Sequence, residues 1–199
     1  MEDFQSELNE FQLRKCSFLA VKGGKTYLIR GRYSFGNGIS VEEEIPVAQA
    51  SNWRGWCWDG KVSSYCAIES GTTTTLFIRN FDGINFSALT SRQDVAKEND
   101  NWRGWNWDGK KASYIAEMNG PINLYIRSFN GSTFGNHKTI QLSDSDNING
   151  WSWNGKEASY IKRTGSKRQL YIRGFDGIKL GKIKEIKTLN YVITGWNWD

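Results

Sequence analysis

Two dipeptides, Trp53-Arg54 and Trp102-Arg103, carry the side chains best suited to ligand binding in this sequence. An indole face can stack on a sugar ring or a base, and a neighbouring guanidinium can hydrogen-bond the edge of the same ligand. Two later copies of the surrounding sequence have Ile148-Asn149 and Ile193-Thr194 instead, so the fold does not require a Trp-Arg pair. Both pairs are therefore candidate binding residues; the alternative is that the two indoles pack in the core.

Three sets of polar residues recur once in each quarter of the chain. They are the arginines Arg30, Arg79, Arg127 and Arg173, the acidic or amide residues Asp59, Asp108, Asn154 and Asp199, and the serines Ser17, Ser64, Ser113 and Ser159. Arginine and aspartate beside an aromatic face suit the hydroxyl groups of a carbohydrate, which makes the arginine and Asp/Asn sets candidate ligand-binding residues. Alternatively, Arg–carboxylate pairs join neighbouring strands, and the Asp-Gly and Asn-Gly steps form turns.

These residues belong to a repeat marked by the phrase Gly-Trp-x-Trp-Asp/Asn. Its four copies begin 45 to 49 residues apart, at Gly55, Gly104, Gly150 and Gly195. Each of the first three copies is followed by Gly-Lys-x-Ala/Ser-Ser-Tyr, Leu-Phe/Tyr-Ile-Arg, Phe-Asp/Asn-Gly and a weaker apolar run. Such short aromatic and β-branched segments, bounded by Gly, Asn, Asp or Ser, indicate about four strands in each unit of a stacked array.

The first repeat lacks the tryptophan phrase, which only the C-terminal segment 195–199 could supply. Segments 15–18 and 26–30 align with later strands, but no Gly-Trp-x-Trp precedes them. We therefore predict an all-β, four-bladed β-propeller in which the C-terminal strand closes the first blade and so protects the sheet edges. Residues 1–199 form one domain, with repeats of about 47 residues that cover 12–52 plus 193–199, 53–101, 102–147 and 148–192.

Strand geometry predicts a structural role for most of the tryptophans. Residues two apart in a strand share a face, so Trp56 and Trp58 point one way while Gly55, Cys57 and Asp59 point the other. Four such pairs would form aromatic layers between blades. We expect these eight indoles to hold the blades together.

Composition limits the remaining classes of protein. The 199 residues include 21 glycines and 2 prolines and show no sustained helical period, a composition typical of strands and tight turns. Only residues 2–11 could form a short helix, or alternatively a decayed copy of a strand. Neither a signal peptide nor a membrane span is recognisable, so we expect a cytoplasmic protein, with release by a non-classical route as an alternative. The cysteines Cys16, Cys57 and Cys66 are expected to be reduced core thiols.

A net charge of +5 favours anionic partners only weakly, because the basic residues are spread through the repeats. The densest groups are 162–168 and 179–187. Lysines on edge strands also prevent sheet aggregation, which accounts for them without a ligand. Nucleic-acid contact stays an alternative.

Catalysis has little support in the sequence. The sole histidine, His137, cannot build a multi-histidine metal site, and we expect no metal ligands and no cofactor. Segments 98–101 and 144–147 are acidic but lack the spacing of an EF-hand loop, so polar turns are expected there. An enzyme would need a residue outside the repeat, such as His137 or Glu117, to act as acid or base.

The repeat resembles that of the TolB-type propellers, whose core is Trp-Ser-Pro-Asp-Gly-Lys-x-Ile-Ala-Tyr followed by Leu-Tyr and Asp-Gly. The resemblance covers most of residues 12–199, although this chain lacks the proline, and its repeat number is closer to the four-bladed hemopexin-type ring. It implies a propeller that binds a ligand. Small tryptophan-rich propellers of this kind also resemble cytoplasmic defence or recognition lectins of microbes and fungi.

Together these patterns favour a non-enzymatic, multivalent carbohydrate-binding protein, with a carbohydrate or glycoconjugate as partner. A protein-interaction scaffold and a nucleic-acid or anionic-ligand binder are the alternatives, and an enzyme with a site in the central channel ranks below them. A homo-oligomer could form, since a swapped C-terminal strand would make the same contacts.

Overall fold

The computed structural model describes residues 13–49, 52–68, 74–94, 101–117, 122–143 and 147–199. These ranges contain sixteen strands. The strands are β1 (Leu13–Lys22), β2 (Lys25–Ser34), β3 (Gly38–Ala48), β4 (Trp53–Trp58), β5 (Val62–Ile68), β6 (Thr74–Phe81), β7 (Phe86–Asp94), β8 (Asn101–Trp107), β9 (Lys111–Glu117), β10 (Ile122–Phe129), β11 (Phe134–Ser143), β12 (Asn147–Trp153), β13 (Glu157–Thr164), β14 (Lys167–Phe175), β15 (Leu180–Leu189) and β16 (Val192–Trp198).

The strands form four antiparallel sheets of four strands each. In order from the axis outwards, blade 1 is β16-β1-β2-β3, blade 2 is β4-β5-β6-β7, blade 3 is β8-β9-β10-β11 and blade 4 is β12-β13-β14-β15. The strands with the tryptophan phrase, β4, β8, β12 and β16, are innermost and contact one another around the axis. The predicted all-β, four-bladed propeller is confirmed.

Ring closure follows the prediction as well. Strand β16 pairs with β1, with Trp198 opposite Cys16 and Val192 opposite Val21. The first blade therefore consists of one strand from the C-terminal end and three from the N-terminal part. This pairing covers the inner edge of β1.

The turns between first and second strands explain why Asp-Gly or Asn-Gly recurs. Gly109 has φ +88°, a conformation that side chains rarely adopt, and Asp108 Oδ1 accepts hydrogen bonds from the backbone N–H groups of Lys110 and Lys111. Blades 2 and 4 repeat this turn. The sequence thus forms a tight turn at the end of three inner strands.

Four hydrophobic cores lie between the blades, one at each interface. The core between blades 2 and 3, for example, packs Leu76 and Ile78 against Trp105, Tyr114 and Phe129. The other three interfaces are built in the same way. Burial of large aromatic side chains between sheets therefore supplies the stability of the ring.

Candidate ligand-binding site

The first tryptophan of each phrase fixes its blade to the preceding one. All four of these side chains are 0% exposed, and each indole Nε1 donates a hydrogen bond of 2.8 to 2.9 Å to a serine Oγ. The pairs are Trp56 with Ser17, Trp105 with Ser64, Trp151 with Ser113, and Trp196 with Ser159. A buried indole N–H needs an acceptor, so the repeated serine is the structural partner of the repeated tryptophan.

The residue between the two tryptophans links neighbouring inner strands. Its side chain meets the backbone of the second tryptophan in the next blade. The contacts are Cys57 Sγ to Trp107 O (3.1 Å), Asn106 Nδ2 to Trp153 O (3.0 Å), Asn197 Nδ2 to Trp58 O (2.8 Å), and Trp198 N to Ser152 Oγ (3.4 Å). A position that varies in sequence therefore has a constant structural role.

The axis is closed at the level of the repeated glycines. A Cβ atom on Gly104 would lie 2.7 Å from Trp151 Cβ, and one on Gly55 would lie 2.7 Å from Trp105 Cβ. Strands diagonally across the axis, β4 with β12 and β8 with β16, also have Cα atoms within 8 Å. The inner strands therefore pack directly against one another at this level of the axis.

Trp102 corrects one sequence-based prediction. It is 2% exposed and stacks on Tyr114, with ring centroids 3.9 Å apart and planes 9° apart. The cause is a bulge: Trp102 pairs with Ala116 and Gly104 with Ile115, so Arg103 is an extra residue and Trp102 lies on the same face as Trp105. Trp102 is a core residue and offers no face to a ligand.

Trp53 follows the same pattern with more exposure. It is half-buried and stacks on Tyr65, with ring centroids 3.8 Å apart and planes 12° apart. Its ring also meets the edge of Phe86. Core packing, the alternative interpretation of the Trp-Arg pairs, therefore accounts for both indoles.

The four arginines do not form one set, which corrects a second prediction. Arg127 lies opposite Ala112 on the neighbouring strand, and Arg79 and Arg173 hold the same register position. In blade 1 that position belongs to Gly31, whereas Arg30 lies opposite Ser17. A shift of one residue turns a side chain to the other face of the sheet, so Arg30 faces a different environment.

Three of the arginines brace their own blade. Each donates from Nη1 to a tyrosine hydroxyl at 3.3 to 3.4 Å and from Nε to a backbone carbonyl at 2.8 to 3.0 Å. The partners are Tyr65 and Ser87 for Arg79, Tyr114 and Gly135 for Arg127, and Tyr160 and Gly181 for Arg173. These bonds replace the Arg–carboxylate pairs between strands that the sequence suggested.

Arg30 instead bridges blades 1 and 2. Its Nη1 donates to Glu43 Oε2 at 2.7 Å and to Gly83 O at 3.0 Å. The guanidinium carbon lies 5.0 Å from the centroid of Trp58, within the range of a cation–π contact. Arg30 thus covers the indole that ends the inner strand of blade 2.

The acidic and amide set divides in the same way. Asp59, Asp108 and Asn154 each accept two backbone N–H bonds of 2.6 to 3.1 Å and shape turns. Asp199 instead accepts bonds from Ser17 Oγ and from Asn197 Nδ2. Burial raises the pKa of Asp199 above its ordinary value, although these two hydrogen bonds oppose the shift.

A cleft between blades 3 and 4 brings polar and aromatic side chains together in a volume of about 140 Å³. Its lining is Asn106, Asp108, Lys111, Ser113, Trp153, Asn154 and Gly155. Asp108 and Asn154 are among the predicted ligand-binding residues. The sequence interpretation did not select the other five, and it assigned Trp153 to the core.

The second tryptophan of blade 4 is fixed within this cleft. Trp153 Nε1 donates to Phe175 O at 3.3 Å, and Lys111 Nζ lies 5.7 Å from the indole centroid. Trp153 stays half-buried, and Lys111 is exposed. The cleft therefore combines an indole, an ammonium, a carboxylate and amides.

The four interfaces differ at two positions of this cleft. Lys111 corresponds to Lys15, Val62 and Glu157 in the other blades, and Asn106 corresponds to Cys57, Ser152 and Asn197. Only the interface between blades 1 and 2 repeats both residue types, and there Asp199 is engaged by Ser17 while Arg30 covers Trp58. The differences between repeats at positions 106 and 111 are the signal in the sequence that points to this interface.

Arg54 and Arg103 lie at the opposite end of the inner strands. Both are half-buried, and each precedes the glycine that closes the axis. Burial, together with the positive charge of Arg103, lowers the pKa of Arg54. The turn residues Asp59, Asp108 and Asn154 lie at the other end of these strands. The predicted site residues therefore do not form a single group.

Of the two residues considered for acid–base catalysis, His137 has a described side chain. His137 is exposed on β11, opposite Arg127. Over the described ranges, no group of three or more His, Cys, Asp or Glu residues is placed to hold a metal ion. Segments 2–11, 98–100 and 144–146 and the side chains of Glu117 and Asn147 lie outside the part that the structure describes.

The three cysteines are free and buried. Burial raises the pKa of the Cys16 and Cys57 thiols to about 12, so both are protonated at neutral pH. In the described residues, no helix is long and apolar enough to cross a membrane.

No protein-family model matches the chain, and no curated protein sequence matches it. Among solved structures, a protein assigned as TolB from Agrobacterium tumefaciens aligns with a TM-score of 0.45 and 13% identity, over 90% of this chain and 82% of that one. TolB from Acinetobacter baumannii aligns with a TM-score of 0.44 and 13% identity, over 85% of this chain and 41% of that one. A chain of the nidogen/laminin complex aligns with a TM-score of 0.44 and 15% identity, over 88% of this chain and 64% of that one. This chain therefore spans less than two thirds of the length of two of these proteins.

Proposed function

We propose that this propeller is a non-enzymatic carbohydrate-binding protein whose site is the cleft between blades 3 and 4. The supporting observation is the half-buried indole of Trp153 beside Asp108, Asn154 and Lys111. A sugar presents C–H groups that pack on aromatic rings and hydroxyls that both donate and accept hydrogen bonds. The indole of Trp153 offers a surface for the C–H groups, and the polar side chains of the cleft offer hydrogen-bond partners for the hydroxyls.

The size of the cleft limits what it could hold. Its volume of about 140 Å³ is well below the roughly 300–1,000 Å³ of pockets for drug-sized ligands. A single sugar ring or the end of a glycan chain is therefore the proposed ligand. Affinity at one such site would be weak, and multivalency would have to come from a second interface or from oligomerisation.

Calorimetry with sugars selected on a glycan array tests the proposal. Asp108→Asn keeps the turn, because Asn154 performs the same role in blade 4, and removes the carboxylate charge. Lys111→Val introduces the residue that blade 2 has at this position, Val62. Each change should weaken binding about tenfold or more, since a hydrogen bond to a charged group contributes roughly 1.5–3 kcal/mol.

The matched control is Asp59→Asn, the same substitution in the turn of blade 2, which should leave binding unchanged. An array and calorimetry without any saccharide binding would contradict the proposal. So would a captured protein partner that free sugars do not displace, since that result indicates an interaction scaffold. A cytoplasmic location remains a prediction from the sequence.

A further inference from the structure

A cation lies over the second tryptophan of the phrase in blades 1, 2 and 4. Cation–π contacts of this kind are found within about 6 Å of a ring centroid. The contacts join Arg14 Cζ to the Trp198 centroid at 5.1 Å, Arg30 Cζ to the Trp58 centroid at 5.0 Å, and Lys111 Nζ to the Trp153 centroid at 5.7 Å. An indole with a cation above it therefore recurs around the ring.

In blades 1 and 2 a glutamate is paired with this cation. Arg30 Nη1 lies 2.7 Å from Glu43 Oε2, and Arg14 is paired with Glu157. Glu157 comes from blade 4, where it holds the position that Lys111 holds in blade 3. Each of these two indoles is therefore covered by an arginine whose charge is balanced by a carboxylate of the protein.

The cleft between blades 3 and 4 has the indole and the cation but not the paired carboxylate. Among the described residues, no Asp or Glu side chain forms an ion pair with Lys111. The carboxylate of the cleft, Asp108, uses Oδ1 to accept the backbone N–H groups of Lys110 and Lys111. Lys111 is exposed and lines the cleft. Its ammonium can therefore pair with an anionic group of a ligand that packs on Trp153.

We propose that the ligand of the cleft is an acidic sugar, a hexuronic acid or a similar sugar carboxylate, a specificity that rests on the proposed sugar-binding function. The sugar carboxylate would pair with Lys111 as Glu43 and Glu157 pair with the arginines of the other blades. The bond between an ammonium and a carboxylate is charge-assisted, and it is stronger than a bond between neutral groups. Lys111 is therefore the residue that selects an acidic over a neutral sugar.

The other polar groups of the cleft determine which way such a sugar lies. A carboxylate beside Asp108 would be repelled, whereas sugar hydroxyls can donate to the Asp108 side chain and accept from the Asn154 amide. The acid group is therefore directed to Lys111 and the hydroxyls to the two turn residues. The interface between blades 2 and 3 has Val62 in place of Lys111 and should not select an acid.

Calorimetry with matched sugars, at constant ionic strength set with potassium chloride, tests this specificity. The probes are the methyl glycosides of glucose, glucuronic acid, galactose and galacturonic acid, together with a sulfated galactose and acetate. Each acid should bind at least about tenfold more tightly than its neutral parent, as expected for one added charge-assisted bond. Acetate has no ring to pack on Trp153 and should not bind measurably.

Substitutions at two adjacent lysines identify the source of the preference. Lys111→Gln removes the charge but keeps a hydrogen-bond donor, so it should bind an acid and its neutral parent equally. Lys111→Arg keeps the charge and should retain the preference. The matched control is Lys110→Gln, which removes an exposed lysine of the same turn and should bind as the unmodified protein does. Circular dichroism checks that all three variants fold.

The outcomes distinguish the specificity from sugar binding itself. Equal binding of acids and neutral sugars, or tighter binding of the sulfated sugar than of either acid, would overturn the carboxylate preference and leave sugar binding intact. A preference that survives in Lys111→Gln, or that is lost equally in Lys110→Gln, would refute the role of Lys111. Acetate binding as tight as that of the acids, or no binding of any sugar, would overturn the sugar-binding function and this specificity together.

Discussion

At the scale of single residues, the repeated serines bond across the blade interfaces, whereas three of the repeated arginines bond within their own blade and three of the Asp/Asn residues shape turns. Ser113 illustrates the role, because its hydroxyl is buried and accepts the indole N–H of Trp151 at 2.9 Å. Ser113→Ala should destabilise the protein by about 1–3 kcal/mol, since it leaves a buried donor without a partner. Urea unfolding measures the loss. Ser132→Ala, in an exposed turn, should change stability by no more than about 0.5 kcal/mol, and a similar loss in both variants would contradict the assigned role.

Glu157 is the residue whose titration should affect stability most clearly. Its side chain is 8% exposed and pairs with Arg14 of blade 1 and with Lys184 at 2.8 Å. Burial alone would raise the pKa of Glu157, but the two cations outweigh it and lower the pKa below its ordinary value. The stabilisation is therefore complete above the pKa of unfolded glutamate, about 4.3, and is lost as the pH falls through the lower pKa of the folded state.

Glu157→Gln should accordingly cost about 1–3 kcal/mol at pH 7, between the values for exposed and buried pairs. The difference from the unmodified protein should shrink as the pH falls below about 4.3. Unfolding experiments between pH 7 and pH 3 measure this change. Glu42→Gln breaks the exposed pair with Arg32 and should cost less than about 1 kcal/mol. A pH-independent difference for Glu157→Gln would show that packing, not charge, is responsible.

At the scale of the elements, close contact between inner strands explains the glycine of each phrase. Gly104 does not need a left-handed backbone, so the steric limit is the 2.7 Å from its Cβ position to Trp151 Cβ. Gly104→Ala should cost at least about 1–3 kcal/mol, the usual range for overpacking. Gly174, in strand β14, has open space around its Cβ position, and Gly174→Ala should be nearly neutral. Thermal unfolding of the two variants compares them directly, and equal stability would contradict close packing at the axis.

How far the sequence predicts these elements depends on strand register. Period-two alternation correctly places Trp56 and Trp58 on one face, because no bulge separates them. Alternation alone would place Trp102 and Trp105 on opposite faces, but the bulge before Gly104 adds a residue that spacing does not show, and both indoles lie on one face. Arg30 was misplaced because the hairpin of blade 1 shifts the register by one residue relative to the other blades. Register is set by backbone geometry, which composition and spacing specify only in part.

At the scale of the whole molecule, fourfold repetition builds the ring, and differences between repeats create the candidate sites. The tryptophan and serine contacts are the same at all four interfaces. Asn106 with Lys111 at the cleft, and the Trp-Arg pairs at 53–54 and 102–103, are features of particular blades. The architecture was therefore predictable from what repeats. Predicting the cleft requires a comparison of the positions at which the repeats differ, together with knowledge of which blades are neighbours.

Ring closure is the property that depends on the whole chain, and truncation after Thr194 tests it. The missing residues include Trp196, which is 0% exposed and bonds to Ser159, and Asn197, which bonds to Trp58 O. Blades 1, 2 and 4 would all lose partners, so we expect loss of cooperative unfolding and association into oligomers. Near-ultraviolet circular dichroism and light scattering measure the two effects. As a control, removal of Asp199 alone keeps strand β16 and should leave the protein folded in its native oligomeric state. An unchanged Tm and an unchanged molecular size after truncation at Thr194 would refute closure of the ring by β16.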